Sequence, residues 1–374
     1  MLNPALIILL FLLLASFMAL LIVGVSRKIH MDAQEKQNRK NKNNIKLMLD
    51  KFITKADEEY NEGLTEFIRY AGDKDENFLA ALDEYLLDVL EQAESSGAEY
   101  QDTKYPERLI AIAGQLDFSS ECVAQIRSHN TRISALGCRR AGLYKVMDAI
   151  TIMEAALVFF SGENQYEILL ALARIGRADV MQSAFAKIKN NILINERGII
   201  EILSAFPECE EKKILFRNMI RGDTDYIAAL FLKAADRKMT EELMADITQV
   251  LETGNKEVRA AAVRSLSTLG EEAPVGILIR ALEDRDWEVR ALAAKALDPI
   301  KTPEVSSALY NALFDQQWWV RQNAARALAS HPGYEALFVL AAESGDEYVR
   351  DSIVSALENG ISPVLLRALK IMVA

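Results

Sequence analysis

One short phrase is written four times between Asn255 and Gly360. It reads Asn255-x-x-Val258-Arg259, Asp286-x-x-Val289-Arg290, Gln317-x-x-Val320-Arg321 and Asp346-x-x-Val349-Arg350. The valines lie 31, 31 and 29 residues apart, and a leucine follows each by eight residues: Leu266, Leu297, Leu328 and Leu357. A proline series, Pro274, Pro303, Pro332 and Pro363, runs out of phase with the valines. Two markers in a period of about thirty residues dictate a repeat array. A single unit of such an array cannot bury its own apolar face, so stacking with its neighbours sets the fold.

The clearest unit predicts two helices. Pro274 opens the first, where its missing N–H costs nothing, and Val275, Ile277, Leu278, Ala281 and Leu282 give that helix its apolar side. Asp284-Arg285 makes the turn, and Asp286 is placed to cap the second helix by accepting from its free N–H groups. Val289, Ala293, Ala296 and Leu297 then fall on one face, and the alanines let adjacent repeats approach closely. Fainter echoes put Ile133, Ile168, Ile199 and Ile227 in the valine slot. That extends the array to about eight two-helix units over residues 105–374, clearest over 242–374. Nothing reads as a strand.

The run Asp286-x-x-Val289-Arg290-x-x-Ala293-Ala294-x-Ala296-Leu297 and its three partners resemble HEAT-like repeats, specifically the short variety of phycobilisome-lyase-type proteins. The resemblance implies an all-α, right-handed solenoid used for protein–protein interaction and scaffolding. It also implies a structural Asp/Arg ladder between neighbouring repeats. Arg259, Arg290, Arg321 and Arg350 supply the basic side of that ladder. Only Asp286 and Asp346 supply the acid, since Asn255 and Gln317 stand at the equivalent positions.

Residues 5–25 carry no charge, and as a helix they span about 31 Å, the thickness of a hydrocarbon core. The sequence therefore predicts a transmembrane anchor over residues 1–26. A basic linker and helical stalk or hairpin follows over 27–104, with amphipathic helices over 44–70 and 77–94. Residues 27–55 hold nine Lys/Arg against three Asp/Glu, which leaves −17 for residues 56–374 of the chain's −11. Arg27, Lys28, Lys36, Arg39 and Lys40 form the lipid-proximal part of that stretch. The positive-inside rule predicts a single-pass protein with its N-terminus outside and its C-terminal domain cytoplasmic.

No motif of the P-loop, nucleophile-elbow or zinc-protease type occurs. Three scattered histidines and three cysteines without a C-x-x-C predict no metal site, no cofactor, and cysteines buried as small apolar residues. An acidic body is a poor partner for nucleic acid. The tryptophans, Trp287, Trp318 and Trp319, all sit in the repeat turns, and Tyr348 holds the Trp319 position one repeat later. Residues two before the core valine point about 160° away from it, which makes these aromatics candidate partner-binding residues. The alternative is that each packs on the next repeat. The last segment, 363–373, is apolar nearly all round and reads as either a cap or an interface.

The leading expectation is a non-enzymatic, membrane-anchored scaffold whose solenoid binds a protein partner. A bacterial envelope glycosyltransferase or secretion complex is one such partner. The alternative from another class is a phycobilin-lyase-like enzyme or subunit. A HEAT-like nucleic-acid-binding protein is the third reading.

Overall fold

The computed structural model describes residues 18, 21, 25–28, 42–49, 51, 57–95, 104–159, 162–189 and 191–358. Among these every regular element is helical. The chain divides into two compact units, one up to Ala149 and one from Ile150.

In the first unit, α1 covers residues 42–49. It is followed by α2 (Asp57–Gly72), α3 (Glu76–Ser95), α4 (Lys104–Gln115), α5 (Phe118–Ile126) and α6 (Thr131–Leu143). The predicted helix over 77–94 is α3 almost residue for residue. Buried Ile45 and Leu49 of α1, and Leu82, Leu86 and Leu90 of α3, belong to the core. Lys42, read as part of the basic linker, pairs with Glu84 at 2.8 Å and Asp88 at 2.6 Å. A partly buried polar knot ties α3, α5 and α6. Arg140 donates to Asp83 and to Glu121, each at 3.0 Å, and the Tyr144 hydroxyl donates to Asp83 at 2.6 Å. The bond from Arg140 holds the Glu121 carboxyl below its ordinary range, whereas burial pushes Asp83 up.

Ile133 does not fill the valine slot: it is 43% exposed, while Ser134, Cys138 and Ala141 are among the buried residues of α6. Cys138 and Ala141 are buried at the offsets from Ile133 that Val263 and Leu266 hold from Val258, so the register is kept although Ile133 and Leu136 face outward. Gly137 lets α6 approach the backbone of α5, because a Cβ there would come within 2.8 Å of the Gln125 Cβ and of the Ile126 amide nitrogen.

The second unit is a stack of seven helix pairs among the described residues. They are α7 (Ile150–Ala156) with α8 (Glu163–Ile175), α9 (Ala178–Ile188) with α10 (Glu196–Ser204), and α11 (Glu210–Ile220) with α12 (Asp225–Ala234). After the short α13 (Arg237–Glu242) come α14 (Met244–Thr253) with α15 (Lys256–Ser267), and α16 (Val275–Ala281) with α17 (Trp287–Ala296). The last two pairs are α18 (Pro303–Ala312) with α19 (Trp318–Leu328), and α20 (Tyr334–Glu343) with α21 (Glu347–Glu358). The second helices of successive pairs stack on one another, as do the first helices except at the α14–α16 step, which gives two layers in a solenoid-like array.

The valine slot is buried in all seven pairs: Ile168, Ile199, Ile227, Val258, Val289, Val320 and Val349. The expected stripe of α17, Val289, Ala293, Ala296 and Leu297, is fully buried too. The early pairs fade in sequence because larger residues fill the alanine slot. Leu172, Leu203 and Phe231 stand four residues after their slot residues, where Ala262, Ala293 and Ala324 stand later. Phe231 meets Phe216 and Phe185 edge-on, with ring centroids 5.0 and 5.4 Å apart. The aromatic cluster fills the volume that closer helix approach removes in the alanine-rich pairs.

Several expectations need correction. No helix among the described residues is long and apolar enough to cross a membrane, so the single-pass anchor and its orientation are unsupported. Most of residues 5–25, together with Lys36, Arg39, Lys40 and segment 363–373, lies outside the described residues; Arg27 and Lys28 are exposed helical residues. Cys122 and Cys138 are buried as expected, but Cys209 is exposed at the start of α11.

Candidate interaction surface

The repeat arginines build the connections between pairs, with the expected Asp286 in one of them and with two further acids, Asp284 and Asp315. Arg259 grips Asp284 through Nε and Nη2, at 2.7 and 2.9 Å, and reaches Asp286 at 2.6 Å. Arg290 repeats the fork on Asp315, at 2.7 and 3.0 Å. Each arginine also donates Nη1 to a carbonyl of its own turn: Arg259 to Gly254, Arg290 to Asp284, both near 2.8–2.9 Å. The forked acid therefore lies five residues before the next valine, and in the first rung Asp286, three before it, joins as a second acceptor. Planar, two-point guanidinium–carboxylate geometry makes each rung directional.

The acid five before the valine has a second task. Asp284 accepts from the Asp286 amide and Asp315 from the Gln317 amide, each at 2.8 Å, which closes the turn entering the second helix. Asp286 accordingly makes no side-chain cap on α17, contrary to expectation, because its carboxylate faces Arg259. Asn255 and Asp346 do cap their helices, by accepting from the Val258 and Val349 amides respectively. Burial pushes the Asp284 carboxyl up, but the Arg259 fork and the Asp286 amide outweigh it and hold it below the usual range.

The rung pattern stops at Arg321. Five residues before Val349 stands Ser344, not an aspartate. Arg321 keeps its carbonyl bonds, from Nη1 to Asp315 and Gln316 at 2.8 and 3.0 Å, and its guanidinium lies 5.3 Å from the Tyr348 ring centroid. Its Nε is buried without a partner.

The candidate aromatics lie along the same turns. Trp318 and Trp319 are 47% and 55% exposed, meet edge-on with centroids 4.5 Å apart, and Tyr348 is 69% exposed. Trp287 is half-buried. Lys256 donates to Glu288 at 3.1 Å across one repeat boundary. That contact fixes the register: the residue two before one valine neighbours the residue one before the next. Trp287 and Trp319, and then Trp318 and Tyr348, hold the equivalent positions at the next two boundaries. A ridge thus runs from a charged pair to four aromatics. Arg350 is half-buried in α21.

Sequence reasoning missed Asp284 and Asp315, although their fixed distance from Val289 and Val320 was a readable signal. An open cleft of about 480 Å³ lies beside the first rung, lined in part by Glu252, Arg259, Ile277 and Arg280. No group of three or more metal-ligating side chains gathers among the described residues.

Comparison with known proteins agrees with this architecture. Residues 244–329 and 276–358 match a family profile described as HEAT repeats. HEAT-like repeats are present here. The match covers less than half of the chain, and nothing in it shows the phycobilisome-lyase variety. No curated protein matches. Among solved structures, the crystal structure of an engineered protein is 17% identical over 82% of each chain; its TM-score of 0.28 carries no argument.

Proposed function

We propose that this chain is a non-catalytic scaffold whose HEAT-like array binds a protein partner along the aromatic ridge of α17, α19 and α21. One observation carries the reading: Trp318, Trp319 and Tyr348 stand exposed in consecutive repeats, beside cores that are otherwise fully packed. Rigid, amphipathic aromatics in a row are the residues on which binding energy concentrates. HEAT repeats in general mediate protein–protein interaction, which supports the reading further. Trp318 and Trp319 meet each other edge-on and leave about half of their surface open to solvent.

Crosslinking of the full chain in its native cells, followed by identification of the captured protein, tests the proposal. Truncating an aromatic anchor costs about 2 kcal/mol or more of binding, or about thirtyfold. The Trp318→Ala/Trp319→Ala double variant should therefore lose the captured partner while keeping its thermal midpoint. Unchanged capture with a lowered midpoint would show the pair to be packing residues.

A further inference from the structure

Three arginines occupy the same place in three consecutive repeats, and two of them hold a carboxylate. Arg259 and Arg290 each fork onto an aspartate five residues before the next valine. Arg321 finds Ser344 there, and Ser344 is exposed, so the place of the missing carboxylate opens to solvent. The Arg321 side chain is only 6% exposed, and its Nε has no acceptor. A buried donor without a partner is rare in folded proteins and calls for an occupant. A guanidinium presents its donors in a fixed fork that matches a carboxylate. The occupant's chemistry is read from the two completed rungs of the same chain.

We propose that Arg321 is an open rung that accepts an acidic side chain from the bound partner. The inference rests on the scaffold reading and names the chemistry of the segment it binds: an aspartate or glutamate flanked by apolar residues. Trp318 precedes Arg321 by three residues and so neighbours it on the helix surface. The apolar flanks of the segment would pack on Trp318 and Trp319. Tyr348 covers the guanidinium in the free protein and, being largely exposed, is free to swing aside. Its ring is a weaker substitute for the absent carboxylate.

All tryptophans of the chain lie on this ridge, so intrinsic fluorescence reports on it directly. The full chain is titrated with acetyl-Leu-Asp-Leu-amide and with its Asn counterpart, which differs only in charge. The aspartyl peptide should bind about tenfold more tightly, as a charge-assisted fork requires. Ser344→Asp should fill the rung from within, raise the thermal midpoint and abolish the preference. Arg321→Gln, which keeps a donor for the turn carbonyls, should abolish it too. Equal binding of the two peptides, or a preference that survives Ser344→Asp, overturns the inference. So does a preference that emerges only in Tyr348→Ala, since the ring would then close the rung in the native protein. Equal peptide binding with intact, tryptophan-dependent capture of the partner would sink the open rung and leave the scaffold standing.

Discussion

The Arg290–Asp315 rung offers a direct measure of what couples one repeat to the next. The two side chains are 17% and 12% exposed, so both are largely removed from water. Breaking a fully buried pair by deleting one partner costs about 3–5 kcal/mol, because the survivor stays desolvated. The edge of this rung remains wet, which lowers the figure to about 2 kcal/mol for Asp315→Asn. The asparagine oxygen still accepts from the Gln317 amide, so the substitution isolates the ionic part. Asp315→Ala loses that turn bond as well and should cost about 1 kcal/mol more. Urea unfolding followed by circular dichroism gives the global loss. Hydrogen exchange of α17 and α19 localises it, because repeat arrays need not unfold in two states. In a double-mutant cycle with Arg290→Met the coupling should reach about 1.5 kcal/mol. Arg321→Met, which breaks no carboxylate pair, should cost less than Arg290→Met. A loss below about 0.5 kcal/mol for Asp315→Asn, or simple additivity in the cycle, would refute the rung as a source of coupling.

Two further outcomes follow from packing and titration. Gly137→Ala places a Cβ against the backbone of α5, which cannot yield as a side-chain tip would, so the substitution should destabilise the first unit by about 1–3 kcal/mol; hydrogen exchange of α5 and α6 would report it, and unchanged protection would refute the close approach. His331 is buried, its Nδ1 lies 2.9 Å from the Ser306 hydroxyl, and burial, then the Lys301 charge, lowers its pKa from 6.5. The folded protein therefore binds its proton later than the unfolded chain does. Stability from this group is intact above pH 6.5 and is lost as the pH falls below that value. His331→Gln should flatten the fall in thermal midpoint between pH 7.5 and pH 5.5, each about one unit from the unfolded value, and an unaltered slope would assign that fall elsewhere.

The core of the array was legible because burial repeats with the chain. A residue that must face the previous helix and the next is constrained twice in every period, so Val258, Val289, Val320 and Val349 stand out. The slot could be followed back to Ile168 even where Leu172 and Phe231 replace the alanines. It failed at Ile133, which stands exposed in the first turn of α6 although Cys138 and Ala141 keep their expected buried places. The ladder was half legible. Its arginines lie on a helix, whose geometry fixes where they point. Its acids lie in a turn, where Asp284 and Asp286 are both chemically apt, and only the turn's fold decides which one faces Arg259. For the aromatic ridge, the positions of Trp318 and Trp319 could be read from helical phase, while their mutual contact depends on the packing of adjacent pairs.

Each rung runs one way, from an arginine to the turn of the following pair. Neighbouring repeats are therefore linked asymmetrically, and removing a pair leaves different scars on its two sides. A preceding repeat would be left holding a desolvated cation, whereas a following repeat would be left with a carboxylate at a turn open to water. The link after α19 has no arginine–aspartate fork from Arg321, and the Gln322–Ser355 hydrogen bond and the Tyr348 ring stand beside apolar packing there. Opening should begin at that link, and the tryptophans would be the first to sense it.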